Sequence, residues 1–174
     1  MNQYTQEHAR SYYAASARAS TPWPALDGDL TADVCVIGGG FTGVNTAIEL
    51  AQRGLSVVLI EARRIGWGAS GRNGGQLIRG IGHEVEGFAR YVGNDGVRYL
   101  QRAGIDSVEL VRQRITEHAI ECDLRWGFCE LANTPAQFAT FKDEQVSLDE
   151  LGYRHQTRLV GPEQIRQQVV NANV

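Results

Sequence analysis

Residues 33–43 read Asp-Val-Cys-Val-Ile-Gly-Gly-Gly-Phe-Thr-Gly, an apolar run that ends in a glycine-rich turn. The apolar run suits a buried parallel strand, and apolar residues at helical spacing follow the turn. In this context Gly38 permits the tight turn, Gly40 lets the backbone approach a phosphate, and Gly43 lets the helix pack closely on the strand. Free N–H groups at the start of the helix favour an anion. The stretch therefore predicts a dinucleotide-binding βαβ unit.

The acidic residue Glu61 follows a second apolar run, residues 56–60, and stands eighteen residues after Gly43. At the end of the second strand of such a unit, a carboxylate accepts hydrogen bonds from the ribose hydroxyls and disfavours a 2′-phosphate. We favour this ribose role, although Glu61 is also compatible with a solvated strand end. Arg63 and Arg64 are surface charges in this interpretation, and NADP binding is their alternative.

A second glycine-rich stretch, residues 65–77, reads IGWGASGRNGGQL and contains five glycines. Its main chain is able to lie against a flat or phosphorylated ligand where side chains would clash. Ser70, Asn73 and Gln76 are able to add hydrogen bonds. In an NAD-binding unit the helical pattern usually resumes soon after the acidic residue, so this stretch favours FAD. A flexible surface loop is the alternative.

The next part of the chain is predicted to contain a long helix and a strand. Apolar residues from Val97 to Ile115 share one helical face, after a turn at residues 93–95, and the helix ends near His118. Alternation over residues 124–128 predicts a strand. Its aromatic residues, Trp126 and Phe128, are interpreted as core, with the border of a substrate pocket as the alternative.

The last part is predicted to contain two helices separated by a short strand. Residues 134–137 read Thr-Pro-Ala-Gln, a capping-box pattern with proline at the first helical position. This helix is expected to run to Leu151 and to stop at Gly152. A strand is expected at residues 157–160, and a second helix opens at residues 161–163.

The N-terminal residues 1–31 are polar with interspersed aromatic side chains, and we interpret them as an arm that packs on the body. Pro22 and Pro24 favour an extended path within the arm. The predicted organisation is therefore an arm at residues 1–31, the N-terminal part of an FAD-binding domain at residues 32–120, and the start of a substrate domain at residues 121–174.

Composition excludes several classes of function. The net charge of −3 at pH 7 offers no basic surface to nucleic acid or anionic lipid, and no apolar run approaches the length of a membrane span. Three cysteines without a CxxC pair and four scattered histidines give no reason to expect a disulfide framework or a metal site. No hydrolase motif is present. The N-terminus lacks the layout of a secretion signal. A cytoplasmic location and a small-molecule partner are expected.

Three of these features together resemble the D-amino-acid-oxidase-like family of FAD-dependent oxidoreductases. They are the GGGFTG turn, Glu61 at the strand end and the GASGRNGG segment. The sequence is similar in particular to the gamma-glutamylputrescine oxidoreductase branch of that family, through SYYAAS at residues 11–16 and ECDLR at residues 121–125. The resemblance covers most of the chain. The SYYAAS motif is the most specific to the branch and also the shortest.

The resemblance implies that FAD is the cofactor. It is expected to bind without a covalent link, because the glycine-rich segment has neither His nor Cys and the nearest candidate is His83. The resemblance places the pyrophosphate at the glycine turn, the ribose at Glu61, the adenine near Arg63 and the flavin toward the end of the segment. It identifies no catalytic acid or base. The expected cofactor contacts are Gly38, Gly40, Phe41, Thr42, Gly43, Glu61, Ala62, Arg63, Gly68, Ala69, Ser70, Gly71, Asn73, Gly74 and Gln76.

The expected fold class is α/β. A Rossmann-like βαβ unit, as in glutathione-reductase-like FAD domains, is followed by the start of an α+β substrate domain. Members of the family are substantially longer, and two parallel strands joined by one helix cannot bury both faces. We therefore expect an incomplete chain that needs the remaining part of the protein or a partner chain.

Two classes of function remain open. The resemblance implies oxidation of an amine C–N bond to an imine that hydrolyses to an aldehyde, with gamma-glutamylputrescine or a related polyamine derivative as substrate. The alternatives are a non-catalytic nucleotide-binding module or subunit that needs a partner chain, and half of an NAD-dependent dehydrogenase.

Overall fold

The computed structural model describes residues 7–17, 23–81 and 85–168. The chain divides into two compact units, Met1–Gln76 and Leu77–Val174. All predicted cofactor contacts therefore lie in the first unit, whereas His83 lies outside the described residues. The sequence placed domain boundaries after residues 31 and 120 instead, and those boundaries stay a prediction.

A parallel βαβ unit forms the centre of the first unit. Strand β1 (Val34–Ile37) leads into helix α2 (Phe41–Gln52), and strand β2 (Val57–Ile60) returns beside β1 in parallel. The register pairs the first residues of the two strands, and α2 packs on both. Gly54, with φ of 85°, follows the helix in the left-handed conformation that glycine favours. The structure confirms this part of the sequence prediction.

Strand β1 is not buried on both faces as its apolar sequence predicted. Val34 and Val36 are half-buried, whereas Cys35 and Ile37 are exposed, and 83% of Ile37 is accessible. Successive side chains of a strand point to opposite faces, and α2 covers one face. Within the described residues of the first unit, no helix or strand covers the other.

The N-terminal arm contains a short helix, α1 (Tyr12–Ser16), in addition to extended chain. Ser11 caps this helix, because its hydroxyl accepts a hydrogen bond from Ala14 N at 3.2 Å. The expectation of an extended path was therefore wrong for these residues. Pro24 lies in a segment without regular secondary structure, and Pro22 lies outside the described residues.

The longest helix, α3 (Ala89–Glu117), belongs to the second unit and is interrupted at Gly93, whose φ is 68°. The interruption falls where the sequence predicted a turn, and the helix ends next to His118 as expected. Buried Gly104 brings α3 close to the segment before it, because a Cβ there would lie 2.6 Å from Gly80 Cα. The helix therefore extends further toward the N-terminus than predicted, as a separate turn.

Helices α4 (Pro135–Glu150) and α5 (Pro162–Gln168) complete the second unit. Thr134 caps α4 as predicted, because its hydroxyl accepts a hydrogen bond from Gln137 N at 3.2 Å. Gly152, with φ of 70°, follows the end of the helix. Among the described residues, the buried apolar side chains are Val85, Val108 and Leu148.

The two strands predicted in the second unit do not form. Residues 124–128 and 157–160 have no regular secondary structure, and the described part of this unit contains no strand. A strand needs the backbone hydrogen bonds of a neighbour, whereas these segments contact side chains. Trp126 stacks on His155 with ring centroids 5.2 Å apart, and Thr157 O accepts a hydrogen bond from Gln145 Nε2. The prediction of an α+β substrate domain was wrong here, because the unit is helical.

Candidate dinucleotide-binding site

The glycine turn between β1 and α2 adopts the geometry that its spacing predicted. Gly38 has φ of 104°, a conformation that residues with a side chain rarely adopt. A Cβ at Gly43 would overlap Gly38 O and lie 3.4 Å from Val36 Cγ1. The absence of a side chain at Gly43 therefore lets the helix begin directly against the strand.

The carboxylate of Glu61 is bound to the glycine turn. Its Oε2 accepts a hydrogen bond from Gly39 N at 2.7 Å, and its Oε1 accepts one from Arg63 N at 2.9 Å. Glu61 is half-buried, so it is not a solvated strand end. A carboxylate has lone pairs for further hydrogen bonds and is able to accept from a ligand hydroxyl while it keeps both of these.

The second glycine-rich stretch returns to the same turn. Gly66 N donates a hydrogen bond to Gly39 O at 2.8 Å. The hydroxyl of Ser70 accepts a hydrogen bond from Phe41 N at 2.9 Å and would lie 3.0 Å from a Cβ at Gly40. Ser70 thus occupies the N-terminus of α2, where the positive end of the helix dipole favours an anion.

The end of this stretch is held by hydrogen bonds within itself. Asn73 Nδ2 donates to Ser70 O at 2.7 Å, and Asn73 Oδ1 accepts from Gly75 N at 2.8 Å. Gly71 is packed so tightly that a Cβ there would overlap Gly66 O. Gly74 and Gln76 are exposed, and neither is brought to the glycine turn by a hydrogen bond in the described part of the chain.

Two residues near this site were missed by the sequence analysis. The ring of Trp67 lies between two guanidinium groups, with Arg63 Cζ 3.7 Å and Arg72 Cζ 4.7 Å from the ring centroid. The indole N–H of Trp67 donates to Glu7 O at 2.8 Å. A single large aromatic residue in a glycine-rich segment was a usable signal, whereas nothing local marked Glu7.

Strand alignment beside the site depends on Asp33 and Ser56, which precede β1 and β2. Asp33 Oδ2 accepts hydrogen bonds from Ser56 N at 2.8 Å and from Ser56 Oγ at 2.7 Å, and Asp33 N donates to Ser56 Oγ at 2.9 Å. The hydrogen bonds from the Ser56 hydroxyl and amide hold the pKa of the Asp33 carboxyl below its usual range.

Other kinds of site were sought in residues 7–17, 23–81 and 85–168. Within those ranges, no group of three or more His, Cys, Asp or Glu side chains converges as metal ligands would. No helix of the described residues has both the length and the apolar character needed to cross a membrane. The three cysteines are exposed and free.

A parallel βαβ unit with this turn, strand-end carboxylate and returning loop defines a dinucleotide-binding protein of the Rossmann type. Residues 33–173 match the family described as FAD dependent oxidoreductase (DAO). The chain belongs to this family of FAD-dependent oxidoreductases, and its cofactor is FAD.

Two relatives match most of the chain. The chain is 39% identical over 165 residues to gamma-glutamylputrescine oxidoreductase of Escherichia coli (strain K12), across 95% of this chain and 38% of the relative. It is 37% identical over 151 residues to "Probable oxidoreductase OrdL" of Haemophilus influenzae, across 86% of this chain and 35% of the relative. The chain thus spans a little over one third of the length of these relatives. No solved structure gives a significant match.

A shorter match lies in a different kind of protein. The chain is 46% identical over 66 residues to part of the anaerobic glycerol-3-phosphate dehydrogenase of Haemophilus influenzae, across 38% of this chain and 10% of that relative. This match covers less than half of the chain, so it carries less weight than the two longer ones.

The glycine turn fits the pyrophosphate of FAD. A Cβ at Gly38 would have no protein atom within 4 Å, so the space over the turn is open to a ligand. Backbone N–H groups face an anion at this end of α2, and the nearby Ser70 hydroxyl is able to donate to phosphate oxygen as well as accept.

Proposed function

We propose that the whole protein is an FAD-dependent amine oxidoreductase whose substrate is gamma-glutamylputrescine or a related polyamine derivative. The observation that carries this proposal is the 39% identity to gamma-glutamylputrescine oxidoreductase over 95% of the chain. The alignment includes the arm as well as the cofactor site. We further propose that residues 121–174 begin the substrate domain and that additional chain completes it.

Each part of the cofactor is assigned to residues of the first unit. The pyrophosphate lies over Gly38, Gly40 and Gly43 and takes hydrogen bonds from the backbone at the start of α2. The Glu61 carboxylate accepts hydrogen bonds from the ribose hydroxyls. This assignment is supported by the convergence of Glu61 and Ser70 on the turn. The other proposed contacts are Phe41, Thr42, Ala62, Arg63, Gly68, Ala69, Gly71, Asn73, Gly74 and Gln76.

The residues of this chain contribute binding and orientation to the reaction. When bound, the flavin supplies the chemistry by accepting a hydride equivalent from the C–H bond beside the substrate amine. The amine substrate thereby becomes an imine, and water converts the imine to an aldehyde and ammonia. The helix N-terminus and the glycine turn fix the cofactor, and the backbone of residues 70–76 directs the chain along it.

The experiment uses the protein purified from its complete reading frame. We expect flavin absorption bands that are released into solution on heating, because the cofactor is held without a covalent link. Addition of gamma-glutamylputrescine should release ammonia and an aldehyde, whereas glycerol 3-phosphate should not be oxidised. A colourless protein that binds NADH would contradict the assignment of FAD. A flavoprotein that releases no aldehyde from gamma-glutamylputrescine, putrescine or spermidine would contradict the amine substrate and favour the non-catalytic alternative.

A further inference from the structure

Glu7 in the arm contacts two residues of the cofactor segment at once. Its carboxylate Oε1 accepts a hydrogen bond from Arg64 Nη2 at 2.8 Å, and its backbone O accepts one from Trp67 Nε1 at 2.8 Å. The donors are three residues apart, on either side of the glycine that bonds to the glycine turn. One arm residue therefore holds the start of the second glycine-rich stretch.

Trp67 passes this contact on to the residues around the cofactor site. Its ring is bracketed by Arg63, which adjoins Glu61 in the hydrogen-bond pattern, and by Arg72, which lies two residues after Ser70. Guanidinium groups over both sides of an indole ring restrict its movement. A ring fixed in this way restricts the backbone between Arg63 and Arg72.

The position of Ser70 depends on the same backbone. Ser70 lies three residues after Trp67, and its hydroxyl bonds to the first N–H of α2. The segment also closes through the hydrogen bond from Gly66 N to Gly39 O. Glycines leave such a segment many alternative conformations, so contacts outside it are needed to select one.

We propose that Glu7 is a positioning residue for the FAD site, acting through Trp67. Docking of the arm by Glu7 orders residues 63–72 before the cofactor binds and so lowers the entropy cost of binding. The exposed Glu7–Arg64 ion pair contributes little by itself, whereas the indole hydrogen bond and the ring contacts add to it. This inference rests on the proposed cofactor site and extends it to the arm.

The test compares three variants of the complete protein. Glu7→Gln removes the charge, Trp67→Phe removes the indole N–H but keeps an aromatic ring, and the double variant removes both. Glu163→Gln is the matched control, because Glu163 forms a comparable exposed pair with Arg166 at 2.8 Å in the other unit. The readouts are the Kd of the apoprotein for FAD and hydrogen exchange of residues 63–76 without FAD.

We expect the double variant to bind FAD about tenfold more weakly, which corresponds to loss of one to two hydrogen bonds. Amide exchange of residues 63–76 should accelerate in the apoprotein, while exchange in α2 and in the control stays as in the wild type. Unchanged exchange and unchanged Kd in the double variant would overturn the inference. If the wild type binds no FAD but the variant still accelerates exchange, the proposed function fails and the ordering role of Glu7 stands.

A charge-reversed pair keeps the inference testable if the double variant does not fold. Glu7→Arg and Arg64→Glu should each weaken FAD binding, and their combination should restore most of the affinity because the ion pair forms again with reversed charges. A combined variant no better than the single ones would overturn the role of this contact.

Discussion

At the scale of single residues, Gly43 is the position where the fold tolerates least change. Its Cα lies so close to β1 that any Cβ would overlap Gly38 O. The overlap is with backbone, which cannot move aside as a flexible side chain does. The helix start would have to shift away from the strand, and the N–H groups that face the proposed pyrophosphate would shift with it.

We expect Gly43→Ala to lower the free energy of unfolding by about 1–3 kcal/mol, the range typical of overpacked sites. FAD binding should weaken as well. The control is Gly87→Ala, because a Cβ at Gly87 would meet no atom within 4 Å. Urea unfolding and FAD titration measure the two effects. Wild-type stability and affinity in Gly43→Ala would refute the close packing of α2 on β1.

At the scale of elements, the sequence predicted helices better than strands. The Thr134 cap of α4 and the glycines that follow α2 and α4 depend on neighbours within a few residues, so the local sequence was sufficient. Strand formation depends on a distant partner. Residues 124–128 alternate as a strand does, but they lie against side chains instead of a second strand.

The Asp33–Ser56 pair gives a pH-dependent prediction for the two-stranded sheet. The folded-state pKa of Asp33 is lowered, so its contribution to stability is complete above its unfolded-state pKa and is lost as the pH falls through the folded value. Asp33→Asn should therefore lower the urea midpoint at neutral pH, and the difference from the wild type should shrink toward about pH 3.

Asp29→Asn is the control for this experiment, because Asp29 is an exposed carboxylate in the same segment. It should leave the midpoint unchanged at both ends of the pH range. A difference between Asp33→Asn and the wild type that grows on acidification would contradict the assigned sign.

At the scale of the whole molecule, the described chain buries few apolar side chains. Val85, Val108 and Leu148 are the buried hydrophobic residues in the described ranges, and all three belong to the second unit. Ile37 on the sheet and Phe41 at the start of α2 are exposed. A protein of this length ordinarily buries about 70% of its unfolded surface.

We therefore expect the 174 residues expressed alone to bind a hydrophobic dye and to melt without a sharp transition. The protein from the complete reading frame, saturated with FAD, is the control and should melt cooperatively and exclude the dye. Calorimetry and dye fluorescence measure both properties. A sharp, dye-free transition in the 174-residue chain would show that it folds without further segments.

The sequence by itself determined the βαβ unit, the glycine turn, the acidic strand end and the resemblance to FAD-dependent oxidoreductases. Those features are encoded by residue types at short, fixed spacings. Only the tertiary structure decided that Ser70 and Glu61 bond to the glycine turn, that Glu7 holds Trp67, and that the later segments form no sheet within the described residues. These contacts join residues 22 to 60 positions apart, or depend on an absent strand partner, and no local pattern encodes them.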